Sequence, residues 1–155
     1  MKQKIVWQNH YLAEVAKILS EGKTVKVRID GNSMYPFIHS GVDEVELVSY
    51  NASHPLHQWE CVFFEWRGHY MIHRYVGKKN ENYLMMGDGN LAQIEEIEEK
   101  AIKGVLRAIW HMDGSRQDCY EKKWLLKGQY WYKLRKIRRC LIYILRMFES
   151  FHKKW

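Results

Sequence analysis

What is scarce in these 155 residues narrows the field first. The three cysteines, Cys61, Cys119 and Cys140, follow neither a metal-binding nor a redox spacing, and an odd number cannot all pair as disulfides. That excludes a disulfide-built secreted scaffold and makes a reducing cytoplasm the expected compartment. Two prolines and ten glycines are too few for a low-complexity or collagen-like chain. Met1-Lys2-Gln3-Lys4 leads into no apolar core of the kind a cleaved leader needs, so none is expected. The apolar run from Cys140 to Leu145 falls far short of the ~20 residues that span a bilayer. His39, His54 and His57 have loop-like spacing without a carboxylate or thiolate partner, so no metal is expected, and no organic cofactor either. There is no internal repeat.

What remains is a chain long enough for one real core, with its charge unevenly placed. From Glu121 to Trp155 there are 11 Lys/Arg against 2 Asp/Glu, a balance of +9. The other 120 residues hold 14 Lys/Arg against 16 Asp/Glu, or −2, which recovers the overall +7. The basicity belongs to the tail.

Hydrophobic spacing predicts a helix over Asn9 to Ser20, with Leu12, Val15, Ala16 and Leu19 on one side, Asn9 as cap and Gly22 as stop. Strict alternation predicts strands over Thr24 to Ile29 and Asp43 to Val48. Further strands are expected over Cys61 to Trp66, His69 to Val76, Asn82 to Met86 and Ala101 to Trp110. Turns are expected at Arg67-Gly68 and Lys78-Lys79-Asn80. The acidic run Glu95 to Glu99 reads as a solvated face. Three parts follow: an N-terminal helix (1–22), a mainly β domain (23–115) and a basic, aromatic helical tail (116–155).

Three short segments carry chemistry. Gly31-Asn32-Ser33-Met34-Tyr35-Pro36 follows the first strand, Met71-Ile72-His73-Arg74 lies forty residues on, and Met86-Gly87-Asp88-Gly89-Asn90 comes next. A serine hydroxyl is a weak nucleophile until a neighbour takes its proton. Imidazole, with an unperturbed pKa of about 6.5, suits that task at neutral pH. A carboxylate behind it sets the tautomer and steadies the imidazolium. Ser33, His73 and Asp88 are thus candidate nucleophile, base and orienting acid, with the Ser33 main-chain N–H as candidate oxyanion donor. Met34 and Pro36 are candidates for the substrate-binding wall.

In their order these boxes resemble the signal peptidase I and LexA-like serine peptidases, the S24/S26 group. The pattern there is Gly-x-Ser-Met-x-Pro, then Lys-Arg or His-Arg in a strand, then Gly-Asp with Asn nearby. The match here runs through Gly31, Ser33, Met34 and Pro36, then His73-Arg74, then Gly87-Asp88-Gly89-Asn90, with Ile102-Lys103-Gly104-Val105-Leu106 like the closing strand. It covers Thr24 to Ile109. The resemblance implies a LexA/signal-peptidase-like coiled β-sheet fold and a Ser33 nucleophile. It also implies the histidine branch of the group, with Asp88 as third member. The chain departs from the pattern at Gly41-Val42-Asp43, where one residue is inserted, and at Trp59-Glu60-Cys61, where Gly-Asp is usual. The family's second aspartate has no counterpart beyond the nearby Glu95 and Glu96, and the membrane-spanning helix of its signal peptidases has none.

In the tail, Trp131, Leu134, Arg138, Leu141, Ile142, Leu145 and Phe148 fall on one helical stripe, with Lys133, Lys136, Arg139 and Tyr143 elsewhere. Such a basic amphipathic helix suits an anionic membrane surface. It equally suits docking on its own domain with a solvated basic face. Nucleic acid is not expected, because no reading motif accompanies the charge. The leading expectation is a cytoplasmic-side serine endopeptidase acting on a peptide or protein. The alternatives are a peptidase-shaped module that binds peptides without cutting them, and a LexA-like self-cleaving regulator without a DNA-binding domain.

Overall fold

The computed structural model describes residues 2–53 and 55–152. His54 of the histidine group therefore lies outside the described residues, as do Met1 and residues 153–155.

The chain opens with helix α1 (Lys2–Ser20) and then runs through β1 (Val25–Arg28), β2 (Glu44–Ser49), β3 (Cys61–Trp66) and β4 (His69–Lys79). It continues with β5 (Asn82–Met86), β6 (Glu95–Ile97), β7 (Ile102–Trp110) and β8 (Arg116–Asp118), and closes with α2 (Lys122–Lys133) and α3 (Arg138–His152). The strands form one antiparallel sheet in the order β1-β2-β7-β3-β4-β5-β6, with β8 paired to β7 as well. The sheet curls into half a barrel, so the expectation of a mainly β chain holds.

Alternation decides which side chains enter the core. Val45 and Leu47 of β2 are fully buried while Glu44, Glu46 and Val48, which alternate with them, are not. Leu12, Val15, Ala16 and Leu19, spaced for one face of a helix, seat α1 on the sheet beside Val27, Phe63, Leu106 and Ile109. The other face carries a second core of Val62, Phe64, Tyr75, Tyr83 and Met85. Gly22 ends α1 as expected, with φ +78° and its N–H donated to Leu19 O at 2.9 Å.

Asn9 is not a cap. The helix starts seven residues earlier than its apolar spacing, and Asn9 sits mid-helix, where Nδ2 donates to Gly68 O at 2.9 Å and Oδ1 accepts from Tyr70 N at 3.2 Å. The amide thus straps α1 to the β3–β4 hairpin. The acidic run is a solvated face at Glu96, Glu98 and Glu99 but not at Glu95. Glu95 and Ile97 of β6 point inward and Glu96 outward, because a strand turns alternate residues to the same side whatever their polarity.

The tail forms two helices instead of one stripe, separated by a 3-10 turn over Leu134–Lys136. Trp131 and Ile142 pack on Tyr35, with Phe37, Leu141 and Leu145 beside them. Leu134 and Phe148, expected on the same stripe, remain exposed. Among the described residues no helix is long and apolar enough to cross a membrane.

Candidate active site

Ser33 lies in a turn directly after β1. Gly31 takes φ +127°, a conformation open to glycine but not to L side chains, which reverses the chain just ahead of the serine. Its N–H donates to Ser40 Oγ at 2.8 Å, and Ser40 donates in turn to Asp30 at 2.7 Å. Met34 O then accepts from Phe37 N at 3.0 Å and Ile38 N at 3.1 Å, closing a tight turn. That turn sends Met34 and Ile38 to one side and Tyr35 and Phe37 towards the tail.

The Gly87-Asp88-Gly89 loop is clamped onto this turn. Gly89 N donates to Ser33 O at 2.7 Å. A Cβ on Gly87 would come within 2.5 Å of Ser33 O, and one on Gly89 within 2.3 Å of Asn32 O. Glycine is needed at both places for the backbones to meet.

His73 lies mid-strand in β4, opposite Val62, with Phe64 edge-on to its ring at 5.9 Å. Its Nδ1 stands 2.8 Å from Oε2 of Glu95, a carboxylate with no exposed surface. Gln93 Nε2 donates to the other oxygen, Oε1, at 2.8 Å. Since a carboxylate accepts, Nδ1 carries a proton, and in the neutral imidazole the lone pair is then on Nε2.

Asp88 does not orient His73. It accepts from Arg74 Nε at 2.9 Å and Nη2 at 2.6 Å in a two-pronged pair, with both residues almost wholly buried. Arg74 Nη1 reaches Trp59 O at 2.7 Å, and Trp131 Nε1 donates to Asp88 O at 2.7 Å. The reason is strand geometry. His73 and Arg74 are consecutive, so they point to opposite faces of β4, and Asp88 lies on the arginine's side. The carboxylate that meets His73 is Glu95, which the sequence offered only as a neighbour of the family's second aspartate. The available signal was Ile97 two residues on, which in a strand shares a face with Glu95.

Ser33, His73 and Glu95 line one open cavity of ≈ 340 Å³, together with Asn90 and Gln93. Its apolar wall comes from Leu12 of α1, Ile29, Met34, Ile38, Phe63 and Ile72. Met34 is among the residues that line the cavity, as expected, and Pro36 is not. Among the described residues the Ser33 N–H and hydroxyl and the His73 Nε2 have no hydrogen-bond partner in the protein. Cys140 is exposed on α3 and is not among the residues that line the cavity. Cys61 and Cys119 are buried, and burial pushes the Cys61 thiol up to about 12 and the Cys119 thiol upward as well. Among the described residues no cluster of His, Cys, Asp and Glu is arranged to hold a metal ion.

The cavity also touches a free strand edge. β5 pairs with β4 only from Arg74 onward, and the chain then turns away through Gly87. Ile72 shares parity with Arg74, so its main-chain N–H and C=O face the side that β5 does not reach; the next residue of that parity, Tyr70, gives its N–H to Asn9 Oδ1. An extended peptide laid there can pair with the backbone while its side chains enter the apolar wall.

No protein-family model matches this chain, and no curated protein matches it significantly in sequence.

Proposed function

We propose that this chain is a serine endopeptidase, similar in plan to the signal peptidase I and LexA-like group, with Ser33 as nucleophile and His73 as general base. The observation that carries the reading is a single cavity lined by Ser33 and His73, with the His73 imidazole held through Nδ1 on a buried carboxylate. Glu95 takes the orienting role in this reading, and Asp88 braces the serine turn through Arg74 and the Gly89–Ser33 backbone bond.

A peptide would lie along the Ile72 edge with its scissile carbonyl over Ser33. Ser33 Oγ attacks the carbonyl carbon as His73 Nε2 takes the hydroxyl proton, and the Glu95 carboxylate stabilises the imidazolium. The Ser33 N–H faces the oxyanion. When the C–N bond breaks, Nε2–H protonates the leaving amine, leaving an acyl-serine. Water, deprotonated by Nε2, then releases the acid and restores the serine. The resemblance gains support from Trp59, at φ +81°, a turn conformation suited to the glycine that the family carries in that box.

The test is cleavage of a mixed peptide library by the purified chain, with products identified by mass. Ser33→Ala and His73→Ala are each expected to abolish product while peptide binding persists. Wild-type cleavage by Ser33→Ala would overturn the assignment. A second reading, a module that binds extended peptides without cutting them, is favoured by the missing Ser33–His73 hydrogen bond. It requires tight binding and no product from the wild-type chain at any pH, whereas catalytic contacts that tighten only around substrate leave the first reading intact.

A further inference from the structure

We propose that the outward face of α3 is a docking surface for an anionic lipid bilayer. One side of this helix is spoken for: Ile142 packs on Tyr35, and Arg138 donates to Asn90 O at 2.7 Å and Gly87 O at 3.3 Å. The other side is apolar and cationic. Tyr143 and Phe148 are 68% and 62% exposed, Ile144 and Met147 are also exposed, and Arg139 and Arg146 stand beside them. An uncovered apolar stripe of this length marks a contact surface.

Charge decides what covers it. α3 has one acid, Glu149, which is half-exposed and held on the Tyr35 side of the helix, accepting from Tyr35 Oη at 3.0 Å and standing 3.4 Å from His39 Nε2. The outward face therefore carries arginine and no carboxylate, and exposed Arg135 and Lys136 continue the positive charge just ahead of the helix. A second copy would bring like charges together. Phosphate headgroups with acyl chains beneath them satisfy both the guanidinium groups and the apolar stripe.

The surface continues onto the loop that leads to the candidate site. Leu91, 47% exposed, shares a groove with Gly89, Arg139, Tyr143 and Arg146, while Asn90 and Gln93 of the same loop line the Ser33–His73 cavity. Docked on α3, the chain would hold that loop at the lipid surface.

The experiment is flotation of the purified full chain with phosphatidylcholine vesicles, with and without phosphatidylglycerol. Binding is expected only with the anionic lipid and should fall as salt is added. Replacing Lys136 and Arg139 by glutamine should weaken it by roughly 10- to 30-fold. Ile144→Ser with Phe148→Ser should weaken it comparably at unchanged charge, with circular dichroism checking that α3 persists and Phe148→Leu restoring binding. Indifference to phosphatidylglycerol, or wild-type binding by the serine pair, overturns the proposal. So does a concentration-dependent dimer in light scattering that the serine pair dissolves, since that assigns the face to a second copy. Ser33→Ala should float like the wild type, so this result and the peptidase result fail independently.

Discussion

Two buried carboxylates near His73 have separate work, and substitution should tell them apart. Glu95 holds the imidazole tautomer through a 2.8 Å contact. Glu95→Gln is expected to lower kcat by roughly 10²- to 10⁴-fold with little change in KM, measured on any peptide the wild type cuts. Asp88→Asn strips the counter-charge from a buried guanidinium and should cost about 3–5 kcal/mol in urea unfolding. Glu60 offers a pH test. Burial raises its carboxyl above the ordinary value, against a smaller opposing pull from the His57 main-chain N–H. A raised carboxyl pKa means that the folded chain keeps its proton longer than the unfolded chain. Its contribution is therefore most favourable below the unfolded value of about 4.3 and is lost as pH rises through the folded one. At neutral pH the charge destabilises. Glu60→Gln, which can still accept from His57, should raise Tm at pH 7 by about 2–4 °C, and the gain should vanish below about pH 4 in a melting series.

Elements enter the function through the places where loops are pinned together. The Ser33 turn and the Gly87–Gly89 loop meet backbone to backbone, and the tail locks both: Trp131 holds Asp88 O and Arg138 holds Gly87 O and Asn90 O. A methyl group on Gly89 has to push Asn32 O away from a 2.3 Å approach. Gly89→Ala should therefore displace the serine, costing about 1–3 kcal/mol of stability and most of the peptidase activity, read by unfolding and by product formation. Elements with a strong period were legible before any coordinates. β3, β5 and β7 fall within a residue of their patterns and β4 starts where expected, since alternation and turn residues are local properties; β4 runs three residues further, to Lys79, which moves the next turn to Asn80-Glu81. Less legible was β6, because a buried carboxylate in an acidic run looks like surface until its partner is known. The early start of α1 was hidden for a related reason, Asn9 being a capping residue in isolation and a strap to Gly68 and Tyr70 in the fold.

At the scale of the molecule, the curled sheet, the α1 layer and the folded-back tail act as one frame around the cavity. Its wall combines Leu12 from the first helix with residues from strands and loops throughout the β domain, so no local segment contains it. The chain by itself determined the serine, histidine and glycine boxes, the alternating strands and the concentration of positive charge in the tail. Each of those depends on residue type and near-neighbour spacing. Tertiary structure alone decided which carboxylate meets His73, why Asp88 belongs to Arg74, and which side of α3 is left uncovered. Those outcomes turn on which face of a strand or helix looks at which partner. A one-residue step in a strand reverses the face, and the partner lies far away along the chain.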